Sequence, residues 1–266
     1  MDKQINIQEA LDWYIWAGVD ATCSDEVCIS ALKEEKPAAQ ASNTLNKQAP
    51  SFSQKAPSST NPSVSYILKN AKDVCSKAQS LKELKDLLIQ FDGCNLKNTA
   101  ASTILGDGDI HAKVMLIGEA PGADEDRQGK PFVGRCGKLL DKMLSAIHLE
   151  REKCYITNVL PWRPPGNRAP TDDEISICLP FLKRQIELIN PDFILLLGGI
   201  SLKSVMDTAD SISRTRGKWL EYAVSENKNI NVLATYHPSY LLRSTAQKSK
   251  VWADLLRFKK KIDEIG

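Results

Sequence analysis

The chain has 266 residues, 42% of them hydrophobic, and a formal net charge of +2. That suits one substantial core with extensions and excludes a protein that binds its partner through bulk charge alone. The opening MDKQINIQEALDWYIWAG lacks the basic-then-apolar pattern of a secretory leader, and no apolar stretch reaches membrane-spanning length. Seven cysteines at irregular spacing suit a reducing cytoplasm better than a disulfide framework, so a cytoplasmic protein without membrane contact is expected.

Residues 6–18, with Leu11, Trp13, Tyr14 and Trp16, read as a short helix inside an N-terminal segment, 1–33. Residues 34–62 are rich in Ala, Ser, Gln, Asn and Pro without periodicity and read as a flexible linker. An aromatic peptide on such a tether could dock a protein partner or fold back on the domain, 63–266. Ser80-Leu81-Lys82-Glu83 is a capping box that opens a helix toward Phe91.

Four apolar runs then read as buried strands. Val114 begins the first, which breaks into Gly118-Glu119-Ala120-Pro121-Gly122, a tight turn that presents acid: Glu119 at the strand end, Glu125-Asp126 one turn later. Cys154–Leu160 deposits Asn158 and leads into the loop PWRPPGNRAPT, Phe193–Gly198 is uniformly apolar, and Asn231–His237 ends in a histidine before PSYLLR. Helical patterns lie between them at Gly134–Ile147, Asp172–Ile189, Gly199–Met206 and Ser249–Ile262, and Thr171 to Glu174 is a second capping box. The alternation predicts an α/β fold: a doubly wound, three-layer αβα sandwich on a mostly parallel four-stranded sheet. Polar strand ends then gather on one sheet edge, where such folds place their ligands.

GEAPG, the ED pair, GKPFVG, TNV, RPPGNRAPT and HPSYLLR occur in the order and approximate spacing of the family 4 uracil-DNA glycosylases, which the chain resembles from Phe91 to Lys260. The resemblance implies a monofunctional enzyme that flips deoxyuridine out of DNA and hydrolyses its N-glycosidic bond. Uracil-containing DNA is then the partner, and a monomer is expected. Breaking the C1′–N bond through an oxocarbenium-like state calls for groups that tolerate a cationic sugar and an anionic base. Asn158 can accept from uracil N3–H and donate to O4, the reverse of what cytosine offers. Phe132 can stack on the base, or be a core residue. His237 can donate to uracil O2 as a neutral tautomer, or be a satisfied strand-end histidine. The resemblance places Glu119 and Asn167 near the sugar, where either could orient water, and puts Ala120 where the most familiar uracil glycosylases carry aspartate. Glu125 has two readings, a side chain crowding the C5 edge of the base or a solvent-facing acid at a helix start. Arg163, Arg168, Ser239, Leu241, Leu242 and Arg243 are the expected DNA contacts, with the leucine pair either filling the gap left by the flipped base or packing inside.

Members of that family hold an iron-sulfur cluster on four cysteines. Here Phe91 and Trp162 stand at two of those positions and only Cys94 and Cys178 match, so no cluster is expected. The basic, histidine-containing insertion of relatives that trap uracil covalently is also missing, and no such trap is expected. Loss of the cluster ligands motivates a second reading, a divergent binder of uracil or another deaminated base with little turnover.

Overall fold

The chain divides into two units, Met1–Asn61 and Pro62–Gly266. A computed structural model describes residues 63–225 and 228–265, within the second unit; the expected N-terminal helix and linker lie outside the described residues. Chain order runs α1 (Val64–Cys75), α2 (Leu81–Gln90), β1 (Asp107–Gly108), β2 (Val114–Gly118), α3 (Ala123–Gln128), α4 (Arg135–Ser145), β3 (Cys154–Asn158), α5 (Asp172–Ile189) and β4 (Phe193–Leu197). It continues through α6 (Gly199–Met206), α7 (Ile212–Thr215), β5 (Trp219–Ser225), β6 (Lys228–Thr235), α8 (Pro238–Arg243) and α9 (Lys248–Ile265).

The four expected strands form the centre of a six-stranded sheet ordered β1-β3-β2-β4-β6-β5. β3, β2, β4 and β6 are mutually parallel, with Leu116 opposite Ile156 on one side and Leu195 on the other. β1 and β5 add antiparallel edges that the sequence reading missed. β1 is only two residues long, and β5 is a partly exposed edge strand without the continuous apolar run that marks a buried one. From β2 the chain crosses to β3 on one side and then returns to β4 on the other. That reversal opens a crevice beyond the C-terminal ends of the central strands.

Alternation along the strands divides the core between the two faces. Met115, Ile117, Ile194, Leu196 and Val232 join the buried cluster that includes Leu84, Leu88, Phe181, Ile186 and Leu202 from α2, α5 and α6. On the opposite face Phe193 meets Phe258 of α9 edge-on at 6.1 Å, and Trp219 stacks on Phe258 at 5.9 Å. The α5 capping box forms as expected: Thr171 Oγ1 accepts from Glu174 N at 3.2 Å, and Glu174 accepts from Thr171 N at 2.8 Å. At α2 the box is shifted by one residue. Ser80 accepts from Glu83 N, but the Glu83 carboxylate accepts from Gln79 N instead of Ser80 N.

One ion pair fixes α9 to the strand that ends at the crevice. Asp254, with its side chain fully buried, accepts from Arg216 Nε at 2.9 Å, Arg216 Nη2 at 2.6 Å and Thr235 Oγ1 at 2.7 Å. Burial pushes its carboxyl above the usual aspartate range, while Thr235 and Arg216 pull it back. Asp254→Ala leaves a half-buried guanidinium and the buried Thr235 hydroxyl without their partner, so denaturant unfolding should show a loss of about 3–5 kcal/mol. A loss under about 1 kcal/mol would mean that the pair behaves as a surface one.

Candidate active site

The C-terminal ends of β2, β3 and β6 open on a cavity of about 540 Å³, with Glu119, Phe132, Asn158, Asn167, His237 and Arg243 among its lining residues. β2 ends at Gly118, where a side chain has no room: a Cβ would lie 2.4 Å from Asn158 Oδ1 and 2.5 Å from Phe132 Cζ. The bare backbone therefore lets an amide and a ring converge.

Asn158 is buried, and its Oδ1 has no hydrogen-bond partner among the described residues. A buried acceptor without a donor costs about 1–3 kcal/mol, so its retention at a cavity wall points to a ligand that donates to it. Phe132 is a core residue that also reaches the cavity. It is buried, yet it lines the cavity with its ring 5.7 Å from that of His237.

His237 follows β6 and caps α8. Its Nδ1 lies 2.8 Å from Ser239 Oγ and 3.1 Å from Ser239 N. The backbone N–H can only donate, so Nδ1 accepts and the neutral ring carries its proton on Nε2. Burial, then Arg243, push its pKa down to about 4, against a smaller opposing effect of Glu125. Ser239, expected at DNA, thus has its hydroxyl and amide on the histidine.

Glu119 is half-buried, and its carboxylate makes no hydrogen bond or ion pair among the described residues; burial raises its pKa above the usual glutamate range and Arg243 opposes that. Ala120 lines the same wall. Glu125 lines the cavity but is not the solvent-facing acid that one of its two readings expected. Its buried carboxylate accepts from Gly122 N at 3.1 Å, Val133 N at 3.0 Å and Gly134 N at 2.9 Å, so both oxygens are spent on backbone and it does not face solvent. Asp126 is likewise turned inward, onto Ala101 N and Ser102 N.

In the proline loop Arg163 Nε donates to Asn167 Oδ1 at 2.7 Å, holding Asn167 at the cavity mouth. Arg168 lines the mouth as well, but its guanidinium is paired with both carboxylate oxygens of Glu174, at 2.9 and 2.6 Å. The leucine pair separates. Leu241 is fully buried and cannot reach DNA, whereas Leu242 is 40% exposed, so packing claims the first and leaves the second available as a wedge. Sequence reasoning missed Arg135 and Cys136, which also line the cavity from the first turn of α4. The GKPFVG turn just before that helix was the available signal.

Away from the cavity, Cys94 and Cys178 are buried and interact with each other; this lowers Cys94 and, with burial, holds Cys178 well above the usual thiol range. The two aromatics at the remaining cysteine positions are also buried. Phe91 packs on Phe181 at 5.2 Å, and Trp162 Nε1 donates to Thr103 Oγ1 at 2.9 Å. Among the described residues no three His, Cys, Asp or Glu side chains are grouped so as to hold a metal ion.

A parallel sheet with an amide, a neutral histidine and an aromatic ring converging beyond its strand ends is the arrangement of a base-excising glycosylase. The sequence model of the Uracil DNA glycosylase superfamily matches residues 105–256, more than half of the chain. Among relatives, the type-4 uracil-DNA glycosylase of Archaeoglobus fulgidus is 39% identical over 192 residues, 70% of this chain and 94% of that one. The type-4 enzyme of Sulfurisphaera tokodaii is 42% identical over 168 residues, 61% and 76% of the two chains, and that of Pyrobaculum aerophilum is 37% identical over 182 residues, 67% and 92%. The chain belongs to the type-4 uracil-DNA glycosylases.

The histidine assignment is directly measurable. ¹⁵N-resolved imidazole spectra should show His237 neutral, with its proton on Nε2, down to pH about 4. Because the folded ring takes up its proton later than an unfolded one, His237 should withdraw stability as pH falls from about 6.5 toward about 4, and have no such effect above that window. A titration near the usual 6.5 would show that the ring is solvated.

Proposed function

We propose that this glycosylase hydrolyses the N-glycosidic bond of deoxyuridine in DNA with Asn158, Phe132 and His237 holding the flipped base and Glu119 serving the water. The unpaired, buried Oδ1 of Asn158 carries the reading: uracil offers N3–H to that acceptor, and cytosine offers a lone pair in its place. Phe132 supplies the stacking face. As the C1′–N1 bond breaks, its electron pair passes into the base. The Nε2–H of His237 meets the charge that develops on O2, and a neutral donor serves there because it needs no proton transfer. Glu119 orients the water that adds to C1′, with Asn167 beside it, and the proton that water sheds passes to solvent. Arg163 and Arg243 meet phosphates, and Leu242 fills the gap in the stack. The enzyme acts as a monomer and is monofunctional, since no lysine among the described residues lines the cavity as a nucleophile.

No iron-sulfur cluster belongs to this reading. The two thiols at matching positions are spent on each other, and Phe91 and Trp162 occupy the core beside Phe181 and Thr103, so the donor set does not fit a four-thiolate cluster. The intact cavity favours turnover over a binding-only protein.

A labelled oligonucleotide with one uracil should be cut after alkali, and its cytosine control should not. His237→Ala should slow single-turnover cleavage by about 10²–10³-fold while binding of uracil-containing DNA weakens far less; equal losses in both would remove the leaving-group role. The purified protein should lack stoichiometric iron and the visible absorbance of cluster thiolates, and Cys94→Ser should still cleave. Iron at cluster stoichiometry would overturn that part.

A further inference from the structure

Phe132 presents its ring to the cavity from a backbone at φ 52°, a left-handed setting that an aromatic residue holds only with support from its surroundings. Two opposite charges supply that support. Glu125 grips the amides of Val133 and Gly134 on the C-terminal side. On the other side Arg151, from the 3₁₀ turn Arg151–Lys153, donates Nη2 to Pro131 O at 2.8 Å and Nη1 to Phe132 O at 3.1 Å. Asp141 of α4 accepts from the same Nη1 at 2.7 Å and fixes the guanidinium in turn. The arginine side chain is only 19% exposed, so solvent screens these bonds weakly. α4 closes the remaining direction, since a Cβ on Gly137 would lie 1.9 Å from Phe132 O.

Arg151 does not line the active-site cavity. It faces a separate cavity of about 700 Å³ that shares Phe132 with the first. Any effect of Arg151 on base binding must therefore pass through the loop it holds.

We infer that Arg151 is a positioning residue for uracil excision, locking the carbonyls of Pro131 and Phe132 so that the Phe132 ring stays beside His237 as the stacking face for the flipped base. This rests on the function proposed above. A coupled set of variants tests it: wild type, R151M, R151K, F132A and the double variant F132A/R151M. Each is measured for single-turnover excision from a single-stranded uracil oligonucleotide, for inhibition by free uracil, and for binding of a uracil-free oligonucleotide. R151M should slow excision by about tenfold to a hundredfold and weaken inhibition by uracil. Binding of uracil-free DNA should stay within about twofold of wild type, and R151K, which still donates to the carbonyls, should recover much of the loss. In the F132A background R151M should add little, because its effect runs through that ring.

Losses that multiply in the double variant, or an equal weakening of uracil-free binding, would overturn the inference. Should R151M fail to fold, Asp141→Asn releases the arginine without removing it, and should give a smaller loss of the same pattern; additivity with F132A would again overturn the role. A wild-type protein that leaves uracil in place would instead sink the functional reading, and this inference with it.

Discussion

One buried carboxylate organises the active site. Glu125 sits in the first turn of α3, yet its oxygens leave that helix to accept amides from Gly122 and from Val133 and Gly134. Burying a carboxylate is severely unfavourable unless hydrogen bonds replace its water, and three oriented N–H donors do so. The turn after β2 and the loop before α4 thereby become one body. Glu119 and Ala120 belong to the first and Phe132 to the second, so their relative placement is set by the hydrogen bonds of this one carboxylate. Asp126, beside it, ties the same helix to Ala101 and Ser102 in the segment that leads to β1.

Desolvation then decides what each catalytic group can do. The burial that lowers His237 raises Glu119, and Arg243 pushes both downward. For the histidine the two effects agree, and the ring is neutral above about pH 4. For the glutamate they oppose, and burial, the larger effect, leaves its carboxyl raised. On the function proposed above, a neutral donor at the leaving base suits departure of an anion better than strong general-base attack. Ser239 completes this by occupying Nδ1 and leaving Nε2 to carry the proton. The support reaches one layer further, because the strand that delivers His237 is held at Thr235 by the Asp254 and Arg216 pair.

The sequence made legible what depends on period and punctuation. Continuous apolar runs gave the four parallel strands, and glycine and proline marked the turns after them, so Glu119, Asn158 and His237 could be placed on one sheet edge before any geometry was known. What depends on helix phase and on long-range partners was hidden. Leu241 and Leu242 are adjacent and chemically identical, and only the packing of α8 sends one inward and leaves the other in solvent. Arg168 reads as a phosphate contact until the capping glutamate six residues on proves to hold it. Glu125 reads as a helix-start acid because its partners Val133 and Gly134 lie eight and nine residues away across a turn. β5 escaped notice because an edge strand with one wet face lacks the signature of a buried one.

The cysteine positions show what two buried aromatics do at places where the family's pattern has thiolates. A cluster held by four thiolates cross-links separate segments, so losing two ligands should leave a hole and a loose proline loop. Here Phe91 and Trp162 stand in for that cross-link with apolar area, and Trp162 adds a hydrogen bond to Thr103. Trp162 directly precedes Arg163, whose Nε holds Asn167 at the cavity mouth. Burial of an indole therefore anchors the start of the loop that a metal-thiolate bond would otherwise pin. Anchoring of that kind needs only complementary volume, not a particular ligand set. The residues that converge on the cavity lie at the ends of β2, β3 and β6 and on turns braced by Glu125 and Arg151, apart from Phe91 and Trp162 in the core.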